Sequence, residues 1–236
     1  MMITTKFKEL MSLNGEMNAA EIESRFTQIA KLLFENFAIQ KGEKIYLFKE
    51  IEFYFYNKHH RDIITHPRFS DPLYWYVNDF GGIDLNFPSE ICKKDGIDST
   101  GKKVDKYILD DSSYFGGILI RQLVSKDKSD ILEGPWACAE LFRLHHALEQ
   151  DNNFPFLVER NNGMIGYICK PRLNLLTGKQ TIESKVDYIL ENIYHIQTEQ
   201  SYTKRFPLLR TSDTDMCGVT SCYMTVKQMK SICHPG

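Results

Sequence analysis

The segment Lys44–Tyr56, KIYLFKEIEFYFY, constrains the fold of this chain more than any other. Its tyrosines, phenylalanines and isoleucines favour a β-strand, and the side chains of a strand point alternately to its two faces. Strict alternation predicts one face made of Ile45, Leu47, Ile51, Phe53 and Phe55. The opposite face then carries Tyr46, Phe48, Glu50, Glu52, Tyr54 and Tyr56. This second face combines carboxylates with aromatic rings, whereas a solvated strand face more often carries Lys, Thr or Ser.

The sequence of this strand alone allows two interpretations of the second face. Carboxylates next to stacking rings are suited to holding a flat ring and activating a water molecule beside it. Alternatively, Glu50 and Glu52 are exposed charges on an edge strand, and the tyrosines are ordinary strand-forming residues. The residues that follow along the chain favour the first interpretation.

Length and composition limit the class of protein. The chain has 236 residues and a hydrophobic fraction of 42%, enough for one large domain or two small ones. No apolar run approaches the roughly 20 residues of a membrane span, and the N-terminal sequence MMITTKFKEL lacks the apolar core of a secretory signal. We therefore expect a cytoplasmic protein without a membrane partner. The net charge of −2 argues against duplex binding but leaves room for a local basic patch.

Six cysteines are scattered along the chain, and without a secretory signal we expect them to be reduced thiols. Three of them lie near the C-terminus: Cys217, Cys222 and Cys233, the last with His234 beside it. Their C-x4-C spacing is wider than that of most zinc knuckles. The sequence therefore argues against a zinc site.

Apolar periodicity predicts three helices. Asn18–Phe37 carries an apolar stripe and begins with Asn18 and Glu21 in a capping-box arrangement. Gly134–Gln150 and Ile182–Gln197 also repeat apolar residues at helical spacing.

Further strands are predicted within Asp71–Phe87 and over Tyr114–Leu123. In the first of these, Gly81–Gly82 indicates a bulge or a hairpin turn. Short strands are also expected within Phe154–Leu176, where Asn162–Gly163 is typical of a hairpin turn.

Two segments lack such patterns: the polar stretch Pro88–Ser112 is expected to be a long loop, and the chain from Ser201 onward to be irregular. The sequence contains no internal repeat, no clear linker, and no Rossmann or P-loop motif. The elements therefore predict a single mixed domain over residues 1–236, of the α/β or α+β class.

Several short motifs follow one another in an order that is typical of one protein family. Ala30–Leu33 (AKLL) precedes Lys49–Tyr54 (KEIEFY), and Asp62–His66 (DIITH) comes next. Leu73–Tyr76 (LYWY) follows, with Asn86 ten residues beyond its second tyrosine. In this order the motifs resemble the alkyladenine (3-methyladenine) DNA glycosylase family, whose members remove damaged purines from DNA.

The resemblance continues through most of the chain. Ile118–Leu123 (ILIRQL) is similar to an arginine-bearing strand of the family, and Leu132–Pro135 (LEGP) to one of its helix starts. Pro171–Arg172 and Arg205–Phe206 are similar to two further family segments. The resemblance implies an α+β fold in which helices flank a curved, mainly antiparallel sheet.

The resemblance also implies catalytic roles for three residues. Glu52 would be the general base that activates a water molecule. Arg121 would hold Glu52 ionised and fix that water. Glu50 would be either the base itself or a charged neighbour of Glu52.

The same resemblance implies a base-binding set and a partner. Tyr54, Tyr76 and His66 would contact a purine ring, and Asn86 would select it. The partner implied is damaged DNA, duplex or single-stranded, in which the target nucleotide is flipped out of the stack. No metal or organic cofactor is implied.

The chain departs from the family where DNA is gripped. Asp79 occupies the position of an intercalating side chain, and an aspartate repels phosphate. The basic loop is reduced to Pro67–Pro72, which keeps Arg68. The segment Pro88–Ser112 and the helix Ile182–Gln197 have no counterparts in the minimal form of the family.

These departures leave the enzymatic activity open between three hypotheses. The first is a DNA glycosylase that excises an alkylated or deaminated purine. The second is a nucleoside or nucleotide hydrolase that uses the same pocket. The third is a non-catalytic protein that binds nucleic acid or another ligand on the same fold.

Overall fold

The computed structural model describes residues 3–62, 65, 71–78, 81–97, 100–108, 110–143, 153–171 and 220–225. The helices within these ranges are α1 (Ile3–Met11), α2 (Ala19–Asn36) and α3 (Pro135–Arg143). The strands before α3 are β1 (Phe37–Lys41), β2 (Lys44–Asn57), β3 (His60–Arg61), β4 (Trp75–Val77), β5 (Ile83–Asn86), β6 (Cys92–Ile97), β7 (Lys103–Ile108), β8 (Phe115–Ser125) and β9 (Ile131–Glu133). Those after it are β10 (Phe156–Glu159), β11 (Tyr167–Pro171) and β12 (Thr220–Thr225).

The main sheet is antiparallel and curled into a half-barrel. Its central path runs β10-β1-β2-β8-β5-β4, and β3, β9, β11 and β12 extend it. The two ends of the path approach each other, since the indole Nε1 of Trp75 on β4 donates to the carbonyl of Pro155, next to β10, at 3.1 Å. The predicted mixed architecture with a curved antiparallel sheet is confirmed at this level.

Helix α2 closes the core on one face of the sheet. Its N-terminus has the predicted capping box, with Asn18 and Glu21 each accepting from the other's backbone amide. Phe26 stacks on Phe53 of β2, with ring centroids 4.4 Å apart. Burying such a ring stabilises the fold by about 1.5–3 kcal/mol relative to leaving it exposed. The preceding helix α1, which periodicity did not predict, buries Phe7 and Met11.

Strand β2 does not alternate strictly, so the predicted faces are wrong in its first half. Tyr46 and Phe48 lie in the hydrophobic core, as do Ile51, Phe53 and Phe55. The residues that face the core thus change from even-numbered to odd-numbered positions. The change occurs between Phe48 and Ile51, where the pairing of β2 with β8 is irregular. A bulge adds one residue and reverses the facing of everything beyond it. Only the later part of the strand presents the predicted polar face.

Two regions predicted to lack regular structure contain strands. Within Pro88–Ser112, β6 and β7 form a separate antiparallel ribbon that pairs Cys92 with Ile108 and Ile97 with Lys103. Because this ribbon stands apart from the main sheet, its sequence lacks the apolar pattern on which strand prediction depends. Likewise β12 lies beyond Ser201 and pairs with β2, opposite Glu50–Glu52.

The hairpin predicted at Asn162–Gly163 is also wrong. Strand β10 pairs with β1, and β11 pairs with β12. The side-chain amide of Asn162 donates instead to the carbonyls of Phe34 and Phe37, at 3.0 and 2.8 Å. These carbonyls lie at the C-terminal end of α2, where backbone carbonyls have no intrahelical hydrogen-bond partners. Asn162 therefore caps the helix rather than turning a hairpin.

The turn predicted at Gly81–Gly82 is confirmed, because it joins the paired strands β4 and β5. Gly81 has a φ of +84°, a conformation that favours glycine. The predicted helix Ile182–Gln197 and the end of the predicted helix beyond Arg143 lie outside the described residues. Within the described ranges, no helix is long and apolar enough to cross a membrane.

Candidate active site

Four of the predicted site residues form one cluster on the polar face of β2 and β8. Arg121 Nη1 donates to Glu52 Oε1 at 3.0 Å, and Arg121 Nε lies 3.4 Å from Glu50 Oε1. The hydroxyl of Tyr54 donates to Glu52 Oε2 at 2.8 Å. Both oxygens of Glu52 are therefore held by donors from different strands.

The register of β2 and β8 is irregular on both sides of Glu50, and the second of these irregularities places Arg121. In the ladder Glu50 pairs with Gln122 and Ile51 with Ile120, which leaves Arg121 as an extra residue on β8. The side chain of such an extra residue points in a different direction from the one it would take in a regular strand. Its guanidinium consequently reaches both Glu50 and Glu52.

The cluster is largely removed from water. The side chain of Glu52 is 1% exposed, that of Glu50 is 13% exposed and that of Arg121 is 24% exposed. Burial opposes the positive charge of Arg121, but the carboxylates of Glu52 and Glu50 outweigh it and raise the pKa of the guanidinium. Arg121 thus stays cationic between the two carboxylates. Hydrogen bonds between charged groups at this distance are stronger than neutral ones.

Asn86 lies on the same face as the cluster, one strand beyond β8. Gly117 pairs with Tyr54 on one side and with Asn86 on the other. Directly opposed residues of an antiparallel sheet share a face, so Tyr54 and Asn86 flank a position without a side chain. Asn86 is fully buried. The structure therefore places Asn86 on the same sheet face as the predicted stacking ring, with Gly117 between them.

Tyr76 belongs to the neighbouring row of the sheet, that is, a line of residues paired across successive strands, which starts at Glu52. In that row Glu52 pairs with Leu119, Leu119 with Asp84, and Asp84 with Tyr76. Tyr76 is half-buried and shares the face of Glu52, but two strands separate them. Three strand spacings correspond to about 14 Å between the backbones of Tyr76 and Glu52, so Tyr76 lies at the far end of this row.

The same row contains a carboxylate that the sequence analysis missed. Asp84 is fully buried on β5, and the side-chain amide of Asn78 donates to its Oδ1 at 3.2 Å. The signal was available in the sequence, because Asp84 precedes Asn86 by two residues and a strand places such residues on one face. A buried Asp next to predicted site residues is a candidate functional group.

His66 lies outside the described residues, as does Asp79. Two nearby residues of the DIITH region are described and act on the backbone of β2. Asp62 Oδ2 accepts from the amide of Phe55 at 3.2 Å, and His60 Nδ1 lies 2.7 Å from the carbonyl of Phe55. Both are buried, and both fix the end of β2 that carries Tyr54.

A cavity of about 420 Å³ lies at the opposite end of β2 and contains none of the predicted site residues. Lys41, Lys44 and Asp130 are among the residues that line it. Tyr46 lines it as well and donates to Asp130 Oδ2 at 2.8 Å. Burial and this hydrogen bond raise the pKa of Tyr46 to about 12.

Among the described residues, no group of three or more His, Cys, Asp or Glu side chains is arranged to hold a metal ion. Of the C-terminal residues considered for zinc, Cys217, Cys233 and His234 lie outside those ranges. Comparison with known proteins finds no matching family model, no matching curated protein and no matching solved structure. The chemistry of the site is therefore argued from its own residues: a buried carboxylate, an arginine, aromatic rings and polar side chains on one sheet face.

Proposed function

We propose that this chain is an N-glycosidic hydrolase of the alkyladenine DNA glycosylase type, with the fold of that family. It excises an alkylated or deaminated purine that is flipped out of DNA. The observation that carries the proposal is the buried carboxylate of Glu52, whose two oxygens are held by Arg121 and Tyr54 at 3.0 and 2.8 Å. A buried carboxylate held in this way is a preorganised group for water activation or for stabilising positive charge.

In the proposed step, Glu52 accepts a proton from a water molecule as the water oxygen bonds to the anomeric carbon of the sugar. The bond between that carbon and the purine nitrogen breaks, and its electron pair leaves with the base. An alkylated, cationic purine departs as a neutral molecule and needs no further proton. A deaminated purine such as hypoxanthine departs as an anion and takes a proton from solvent water. The negative charge of Glu52 also stabilises the oxocarbenium character that develops on the sugar.

The rest of the sheet face supplies the base-binding groups of the proposal. Tyr54 provides a ring beside Glu52, while Asn86 lies two strands away, beyond Gly117. Tyr76 and His66 complete the proposed set. Stacking a base on an aromatic ring contributes about 1–3 kcal/mol, which offsets part of the cost of unstacking it from DNA.

A nucleoside or nucleotide hydrolase is the second candidate, and the local charge favours it. Glu50, Glu52 and Asp84 place three carboxylates on one face, with Arg121 as their cation among the described residues of the cluster. The whole chain also carries a net charge of −2. Such a balance repels a phosphate backbone and suits a smaller, less charged substrate.

A single-turnover excision assay tests the proposal. Duplex and single-stranded oligonucleotides carry hypoxanthine or 7-methylguanine, and Glu52→Gln is compared with Glu140→Gln, a change of a partly exposed α3 residue outside the cluster. We expect excision by the parent and by Glu140→Gln, and its loss in Glu52→Gln. Release of base from free nucleosides but from neither oligonucleotide would establish the second candidate instead. No release from any substrate would overturn both.

A further inference from the structure

We infer that the cavity at the end of β2 opposite the Glu52 cluster binds a free α-amino acid with a large apolar side chain. The cavity combines two carboxylates and two lysines with an apolar lining, and a zwitterion carries the complementary pair of charges. None of the residues that line the cavity belongs to the Glu52 cluster. Binding at this cavity is therefore separate from the proposed hydrolysis and does not depend on it.

The cavity has the size and the apolar surface that such a ligand needs. Its volume is about 420 Å³, and small-molecule sites typically measure about 300–1,000 Å³. Leu132, Ala137 and Leu141 line it on the side of β9 and α3. Sites of this kind are mostly apolar, with a few polar groups that fix the orientation of the ligand. The apolar side chain of the amino acid packs against these three residues.

A hydrogen bond holds two walls of the cavity together. Lys41, at the end of β1, donates through Nζ to the carbonyl of Leu141 in α3 at 2.5 Å. Both residues line the cavity. Because this contact already links β1 to α3, the ligand has less of the protein to order when it binds.

Asp130 and Lys44 form the charged end of the cavity, and both have hydrogen-bonding capacity left. The hydroxyl of Tyr46 donates to Asp130 Oδ2 at 2.8 Å. Lys44 Nζ lies 3.9 Å from the same oxygen, which is too far for a hydrogen bond. Within the described part of the chain, no donor bonds to Asp130 Oδ1 and no acceptor lies within hydrogen-bond distance of Lys44 Nζ.

The spacing of these two groups suits an ammonium and a carboxylate that are attached to one carbon. The ligand ammonium donates to Asp130 Oδ1, and the ligand carboxylate accepts from Lys44 Nζ. Charge-assisted hydrogen bonds of this kind are about 2.8 Å long. Because Lys44 Nζ lies 3.9 Å from the carboxylate of Asp130, both bonds can form side by side.

The charges of the cavity disfavour simpler ligands. Glu140 and Lys41 add a second carboxylate and a second cation to the lining, so these four groups carry no net charge. A ligand with only a negative charge meets the two carboxylates, and a ligand with only a positive charge meets the two lysines. Repulsion between like charges weakens the binding of both.

Calorimetric titration of the full chain tests this site. The probe is L-phenylalanine, and three analogues each lack one of its features. Phenethylamine lacks the carboxylate, 3-phenylpropionate lacks the ammonium, and glycine lacks the apolar side chain. We expect phenylalanine to bind at least about tenfold more tightly than each analogue, since each loses a charge-assisted hydrogen bond or the burial of an aromatic ring.

Matched variants assign the binding to this cavity. Lys44→Gln and Asp130→Asn are each expected to weaken phenylalanine binding at least about tenfold. Lys31→Gln and Glu23→Gln, which change exposed residues of α2, are expected to leave it unchanged. The side chain of Lys44 is 61% exposed, so Lys44→Gln is expected to fold even if Asp130→Asn does not.

The possible results separate this site from the proposed function. No detectable binding of phenylalanine, an analogue that binds equally well, or binding that survives Lys44→Gln overturns the amino-acid site, even if Glu52-dependent excision is observed. Selective binding that is lost in Lys44→Gln and retained in Glu52→Gln supports it, even if no oligonucleotide is cleaved.

Discussion

Arg121 and Glu52 form a 3.0 Å ion pair although they do not face each other in the β-ladder, where Glu52 pairs with Leu119. The pair exists because the irregular register at Glu50 leaves Arg121 as an extra residue on β8. The same guanidinium reaches Glu50 at 3.4 Å. One cation therefore neutralises part of the charge of two carboxylates that are both largely shielded from water.

The first prediction concerns Arg121→Ala, which leaves Glu52 and Glu50 without this cation. Removing one partner of a buried ion pair typically destabilises a protein by about 3–5 kcal/mol, and we expect about 3 kcal/mol because Arg121 is partly exposed. Denaturation in urea measures the free energy of unfolding. Excision should fall together with stability, since Glu52 loses its orientation.

The matched control for this prediction is Arg143→Ala. Arg143 forms a 3.7 Å pair with Glu140 in which both side chains are more exposed, at 28% and 36%. Partly exposed pairs contribute about 0–1 kcal/mol, and the guanidinium of Arg143 also lies 4.8 Å from the centre of the Trp136 ring, a contact that adds about 0.5–1 kcal/mol. The control should therefore destabilise the fold less than Arg121→Ala. Equal losses in the free energy of unfolding would show that the ion pairs of Arg121 stabilise the fold no more than the Arg143 pair does.

The second prediction separates the two roles of Tyr54. Tyr54→Phe removes the hydroxyl that donates to Glu52 Oε2 but keeps the ring. Since a hydrogen bond to a charged group contributes about 1.5–3 kcal/mol, the single-turnover rate should fall at least about tenfold while ligand affinity stays near that of the parent. Tyr54→Leu should weaken binding as well, by about 1–3 kcal/mol for the lost stacking. Loss of affinity in Tyr54→Phe would contradict this division.

Local patterns predicted those elements whose structure depends on neighbours in sequence. The capping box fixed the start of α2, the run of strand-forming residues predicted β2, and two glycines predicted the turn between β4 and β5. In each of these elements the residues that decide the structure are close together in the chain. The sequence grouped Glu52, Arg121 and Tyr54 only through a family resemblance, because Arg121 lies 69 residues from Glu52.

The failures have a common physical cause, because each depends on contacts between distant segments. Tyr46 and Phe48 face the core since β8 imposes an irregular register on β2, which no pattern within β2 reveals. Asn162 caps α2 from a segment more than a hundred residues away. The spacing of Asp84 to Asn86 was visible in the sequence, but its burial in the row from Glu52 to Tyr76 depends on the pairing of β5 with β4 and β8.

The third prediction tests how closely β2 and β8 approach beside the site. A Cβ on Gly116 would overlap the carbonyl oxygen of Tyr54 and lie 2.8 Å from the Cα of Phe55. Because backbone atoms cannot move aside as a side chain can, Gly116→Ala should destabilise the fold by about 3 kcal/mol or more. Thermal and urea unfolding would measure the loss.

Gly163→Ala is the control for Gly116→Ala. Gly163 has a φ of +76° and no atom within 4 Å of an added Cβ, so the substitution changes only the backbone preference. That cost is about 1–2 kcal/mol. A smaller effect at Gly116 than at Gly163 would contradict the tight strand packing described above.

The fourth prediction concerns Cys138, a fully buried residue of α3 whose thiol pKa is raised to about 12, mainly by burial. The thiolate is the reactive form, so iodoacetamide at pH 8 should leave Cys138 unmodified and label the exposed Cys169. Mass spectrometry of proteolytic peptides distinguishes the two sites. Because the neutral thiol is favoured in the fold, its contribution to stability is complete below pH 9.0 and is lost as the pH rises towards about 12. Rapid labelling of Cys138 in the native protein would show that α3 opens readily from the sheet.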